Sequence, residues 1–216
     1  MSSVVMIRAV AASLVLGWTG AVFAAPVSSY FDTDKEDWTT GGDFAAPSTW
    51  TNALGNPVGA IYATDDTQGG TWSFVAPAKF LGNQSGAYGG TFSYDLRITA
   101  SDSTPWAWPM VSITGSGVTL NWNGAWPDAN VWNHYDVPLN PAGGWIKASD
   151  STTPNAAEFA SVLSNLSSLL IRGEFMTGSD TGYLDNAVLT PEPASLMLAS
   201  VGIGLGLLRS RRIRHA

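Results

Sequence analysis

Tryptophans, carboxylates and one histidine are the side chains between residues 25 and 190 whose types and spacing could do chemistry. Nine of the ten tryptophans fall in this segment. An exposed indole face is a common platform for a sugar ring, because sugar C–H groups pack on the ring while hydroxyls bond to nearby polar groups. Trp106 and Trp108 are two residues apart and share a face if the chain there is extended. Trp122 and Trp126 bracket Asn123-Gly124, a turn-like stretch of small polar residues. These four form the expected glycan-binding platform. The competing role of a tryptophan in such a chain is packing, since the ring also fills an apolar core well.

The acidic residues suggest a different ligand. Asp32, Asp34, Glu36 and Asp37 crowd the start of the segment, and Asp185 lies near its end. Calcium takes six to eight oxygens from carboxylates and carbonyls, so Asp32 and Asp185 are the expected ligands of a structural calcium, with Asp65-Asp66 as a second candidate pair. The acidic run does not match an EF-hand loop, because Trp38 and Thr39 break its spacing. Other chemistry is poorly supplied. One histidine and no cysteine in the segment exclude a Cys/His zinc site and a thiol nucleophile. His134 and Asp136 share a strand face, yet no Gly-x-Ser-x-Gly elbow accompanies them. No carboxylate pair is marked out by its context for glycoside hydrolysis. No catalytic residue is assigned, and the chain reads as a non-enzyme. With sixteen acidic and five basic side chains, the segment carries a net charge of −11. That charge argues against nucleic acid as a partner and is compatible with divalent cations or neutral glycans.

The elements that must position these residues read as strands. The segment is rich in Gly, Thr, Ser, Trp and Tyr, residues of strands and turns rather than helices. Short β-like runs recur at 59–64, 71–75, 90–98, 110–114, 118–122, 132–139, 169–175 and 183–189. The run 90–98 alternates most clearly, with Phe92, Tyr94, Leu96 and Ile98 on one face and Thr91, Ser93, Asp95 and Arg97 on the other. Gly115-Ser116-Gly117 predicts a hairpin turn between its two neighbours. One helix is expected after Thr153 as cap and Pro154 in the first turn, with Phe159, Val162, Leu163 and Leu166 on its apolar face. Many short strands with one helix predict an all-β sandwich, a jelly roll.

The two ends carry addresses rather than fold. Residues 1–24 have one positive charge, an apolar stretch and Val22-Phe23-Ala24, the pattern of a secretory signal peptide cut after Ala24 by signal peptidase. Residues 190–216 read Pro191-Glu192-Pro193, an uncharged apolar run over 194–208, and then Arg209, Arg211, Arg212 and Arg214. Apolar segment followed by basic cluster is the polarity of a membrane stop. Fifteen residues of helix span about 22 Å against a hydrocarbon core of about 30 Å, which suits a transient signal better than a permanent anchor.

These residues resemble the PEP-CTERM sorting signal of Gram-negative bacteria. The resemblance implies recognition of Pro191, Glu192 and Pro193 by an exosortase, a membrane protease-transpeptidase, and delivery to the cell surface or exopolysaccharide matrix. A second resemblance covers the middle of the chain. Phe31-Asp32-Thr33-Asp34 with Trp38, Ala76-Pro77-Ala78-Lys79-Phe80-Leu81-Gly82, Tyr88-Gly89-Gly90-Thr91-Phe92-Ser93-Tyr94-Asp95-Leu96 and Tyr183-Leu184-Asp185-Asn186 look like a laminin B domain (domain IV type A). That resemblance implies a galactose-binding-like jelly roll over residues 25–189 and no enzyme. Sandwiches of that kind often hold a structural calcium where the first and last strands meet, the place expected here for Asp32 and Asp185.

Overall fold

Alternation of large apolar and small polar side chains divides the chain into two facing sheets. The computed structural model describes residues 25–42, 46–65, 70–102 and 108–192. The expected signal peptide over 1–24, Asp66, Trp106, Pro193, the apolar run 194–208 and Arg209, Arg211, Arg212 and Arg214 lie outside the described residues. Among the described residues no helix is long and apolar enough to cross a membrane.

The elements in chain order are β1 (Val27–Ser29), β2 (Thr39–Gly42), β3 (Thr49–Gly55), β4 (Val58–Asp65), β5 (Trp72–Val75), β6 (Thr91–Ile98), β7 (Val111–Gly115), β8 (Val118–Trp122), β9 (Asn133–Pro138), β10 (Ile146–Lys147), α1 (Ala156–Ser164), β11 (Leu166–Arg172) and β12 (Asp180–Thr190). One sheet runs β3-β4-β12-β6-β9, with β1 pairing the far half of β12. The other runs β10-β8-β7-β11-β5-β2. The strand pairs are antiparallel, as expected of sheets with one solvated face.

The core lies between the sheets. Phe92, Tyr94, Leu96 and Ile98 of β6 are buried, as their alternation predicts. They meet Val111 and Ile113 of β7, Leu169 and Ile171 of β11 and Trp72 and Phe74 of β5 in one continuous cluster. Edge-to-face rings link its parts: Trp38 against Phe80 at 5.4 Å and Trp145 against Phe159 at 5.7 Å. Burial of each such side chain contributes about 1.5–3 kcal/mol. The Ser116-Gly117 hairpin turn forms as expected, with φ of 49° and 77°, the left-handed pair that a two-residue hairpin needs.

Three expectations are corrected. The helix is capped by Asn155 rather than Thr153, through a capping box with Glu158. Leu166 is not on the helix but opens β11, and it is buried there. Asp95 sits on the outer side of β6, as its place in the alternation requires, but is buried rather than wet. The β3–β4 turn folds over it, and the Asn56 side-chain amide donates to its Oδ2 at 3.1 Å.

Candidate binding groove

The outward side chains of β8, β7, β11 and β5 mix small polar residues with Leu170 and Val75, so the solvent face of their sheet offers apolar surface as well as hydrogen-bonding groups. Register places Asn121 beside Ser112 and Ser112 beside Leu170, with Ser73 and Gly41 continuing in the next row. Above them lies a groove of about 370 Å³ whose lining includes Ser73, Ser112, Asn121, Leu170 and Trp108. The Ser112 hydroxyl donates to Asn121 Oδ1 at 2.8 Å, fixing the amide's orientation. At Gly42, part of the same lining, φ is +102° and a Cβ would stand 2.3 Å from the Thr71 carbonyl, so a side chain there has no room.

Trp108 is 56% exposed, while Trp38, Trp72 and Trp145 are buried. Its segment is held firmly behind the ring. Met110 N–H donates to Trp122 O at 2.9 Å, and Arg172 N–H donates to Met110 O at 2.9 Å. Arg172 Nη1 also donates to Trp108 O at 3.2 Å. An exposed indole on a stiff backbone, in a groove that also holds hydrogen-bonding side chains, can stack a sugar ring while those side chains bond its hydroxyls.

The other described members of the expected platform lie elsewhere. Trp122 shares the inward face of β8 with the buried Leu120, and its indole N–H donates to Gly143 O at 2.9 Å. Trp126 packs edge-on to Phe175 at 5.1 Å and donates to Ser101 Oγ at 2.6 Å. Trp122 and Trp126 are therefore half-buried against the core, whereas the Trp108 indole is exposed. Neither Arg172 nor the groove's polar residues stood out in the sequence, because they come from separate strands and carry no local motif.

Near Trp108 lies a buried charged cluster; of its members the sequence marked only Asp65, as half of the second calcium pair. Asp65 of β4, Arg172 of β11, Asp180 of β12 and Glu174 in the loop between the last two are each almost fully buried. Burial, reinforced by the neighbouring Asp65 charge, pushes the Glu174 carboxyl up to about 7. Burial and Asp65 likewise raise Asp180 to about 7. Burial lowers Arg172 to about 10, so it stays charged at neutral pH. Asp180 Oδ2 accepts from Phe175 N–H at 3.2 Å, and Glu174 Oε2 accepts from Trp72 N–H at 3.3 Å. The Trp72 ring fills the space next to Gly173, where a Cβ would approach it to 2.1 Å.

The expected calcium ligands are placed apart in character. Asp185 is fully buried, and Asp32 is exposed. Asp185 Oδ2 accepts from Asn56 N–H at 2.6 Å and its Oδ1 from Asn186 N–H at 2.7 Å, so backbone donors already occupy the carboxylate. Burial, with the charges of Asp95 and Asp32, raises it to about 6. Among the described residues no group of three or more His, Cys, Asp or Glu is arranged to hold a metal ion. His134 Nδ1 pairs with Asp95 Oδ1 at 2.6 Å, while its Nε2 lies 3.5 Å from Asp136. The Asp95 hydrogen bond raises the imidazole above its ordinary value. Asp95 in turn accepts from the Asn56 and Asn186 amides, so this network fastens the β3–β4 turn to β12. Of the expected sorting motif, Pro191 and Glu192 are described, and the Glu192 carboxyl lies against Gly89.

Comparison with known proteins agrees with this architecture. Residues 73–192, more than half of the chain, match the family Laminin B (Domain IV). The chain is similar to the laminin-like protein lam-2 of Caenorhabditis elegans, 29% identical over 175 residues, covering 77% of this chain and 10% of that protein. It is similar to the laminin subunit gamma-2 of Homo sapiens, 34% identical over 122 residues, covering 54% of this chain and 10% of that protein. The chain thus spans about a tenth of the curated relatives' length. Among solved structures it resembles the L4b domain of human laminin alpha-2, with a TM-score of 0.60 at 14% identity, covering 78% of this chain and 98% of that domain.

Proposed function

The chain belongs to the laminin B (domain IV) family, and from that premise we propose that it is an exported, non-catalytic protein of a bacterial cell surface or exopolysaccharide matrix. It binds a neutral glycan in the groove beside Trp108. Laminins are extracellular matrix proteins, which fits an exported chain. The signal peptide sends the chain out through signal peptidase. The Pro191-Glu192-Pro193 motif, apolar run and arginine cluster hold it in the membrane until an exosortase acts. Among the described residues the groove lining holds no acidic side chain, which supports a non-catalytic reading.

The observation that carries glycan binding is the exposed Trp108 indole in a groove whose lining includes serine and asparagine side chains. The test is tryptophan fluorescence of the purified chain, titrated with the producing bacterium's exopolysaccharide. A saturable shift is expected. Trp108→Ala should weaken it at least about tenfold, the scale of one stacked ring, and Trp122→Phe should leave it in place. Equal binding by wild type and Trp108→Ala would remove the groove from the account.

A further inference from the structure

We propose that Arg172 is the positioning residue that presents Trp108 to the groove, an inference that rests on the groove being the binding site. Arg172 lies on the outward side of β11, in register with Ser73 of the groove lining, yet it is only 2% exposed. Its side chain reaches the segment that carries Trp108. It grips that segment twice, through its backbone N–H to Met110 O and through Nη1 to Trp108 O. The guanidinium is itself fixed. Its Nε donates to Glu174 O at 2.5 Å, and its Cζ lies 4.8 Å from the centroid of the Trp126 ring and 4.9 Å from that of Phe175.

Charge explains why an arginine can be buried here. Glu174 and Asp180 stand close enough to act on it electrostatically, and Asp65 acts on both of them. A lysine would keep the charge but lose the planar fork and the ring stacking, so it could not hold Trp108 O and Glu174 O together. Trp126, the platform candidate that turns inward, gains a role in this arrangement as the surface on which the arginine lies. The backbone that carries the Trp108 indole is thereby fixed before any ligand arrives, which lowers the ordering cost of binding.

The test uses the full chain labelled with 5-fluorotryptophan, with the Trp108 resonance assigned by its loss in Trp108→Phe. In Arg172→Lys the Trp108 line should broaden or move, while the lines of the core residues Trp38 and Trp145 stay in place. Affinity for the producing bacterium's exopolysaccharide should fall roughly tenfold. Should Arg172→Lys fail to fold, Trp126→Leu loosens the guanidinium's seat with its charge kept, and the same change in the Trp108 line is expected. A Trp108 line unchanged in a folded variant overturns the proposal. The fluorine spectrum is read without ligand, so absence of polysaccharide binding by the wild type would overturn the groove reading separately.

Discussion

Glu174 illustrates how a single side chain can set the pH behaviour of the fold. Its carboxyl is pushed to about 7 by burial and by Asp65, and Asp180 beside it also to about 7. In the unfolded chain both titrate near 4. The folded state therefore binds protons more tightly than the unfolded state between those values. Stability then falls as pH rises from about 4 to about 7, by roughly 1–3 kcal/mol from this cluster. Asp185, raised to about 6 by burial beside Asp95 and Asp32, adds to the same trend. The positive charge of Arg172 opposes it and persists throughout the window. Asp150, held down by the Thr152 hydroxyl, and Glu158, held down by the Asn155 N–H, work the other way at pH values below about 4.5. Urea unfolding at pH 5, 6, 7 and 8 should show greatest stability near pH 5. Glu174→Gln, whose carbonyl can still accept from Trp72 N–H, should raise stability at pH 8 and flatten the profile. A profile that climbs from pH 5 to 8 would contradict the assigned ionisation.

Two elements depend on side chains that replace backbone partners. The first turn of α1 is closed by Asn155 Oδ1 accepting from Glu158 N–H at 3.0 Å, and Glu158 Oε2 accepting from Asn155 N–H at 2.8 Å. Asn155→Ala should cost about 1 kcal/mol in thermal or urea unfolding. In β12 the register slips between Asp185 and Val188, which lets Leu184, Ala187 and Leu189 all face the core. Asp185 accepts the backbone N–H groups of Asn186 and of Asn56 across the turn. Asp185→Asn brings a donor against one of them and should cost on the order of 1–3 kcal/mol. If EDTA reproduced that loss in the wild type, the carboxylate would be a calcium ligand instead. The strands legible in the sequence were those with strong alternation, such as β6, where burial on one face forces the period. β1, β2 and β3 escaped notice because Val27–Ser29, Thr39–Gly42 and Thr49–Gly55 are short or rich in Thr and Gly. Their pairing is imposed by neighbours far away in sequence. Thr153 was a reasonable cap by type, but only Asn155 has glutamate three residues later to complete the box.

Across the whole molecule, the site and the address sit at places with different rules. The groove exists only when β8, β7, β11 and β5 are side by side, so Trp108 was visible in the sequence while Ser112, Asn121 and Arg172 were not. The proposed sorting motif is a local pattern, so it is read from consecutive residues rather than from the fold. Its first residues follow the fold without a spacer: β12 ends at Thr190, paired with Thr91 of β6, and Pro191 follows. Proline has no N–H to extend the ladder, so the sheet stops there. Gly90 admits the departing chain, since a Cβ would stand 2.0 Å from the Thr190 carbonyl. Glu192 therefore lies against the surface of the sandwich at Gly89 rather than inside it, and the core does not depend on it. Glu192→Ala in the producing bacterium should leave the melting temperature of the domain unchanged. It should also keep the protein in the membrane fraction, with its arginine cluster attached, instead of at the surface or in the matrix. The measurement is fractionation with intact-mass analysis of the C-terminus. Normal release of the variant would show that the motif is not what the processing enzyme reads, while a lowered melting temperature would mean that residue 192 belongs to the fold.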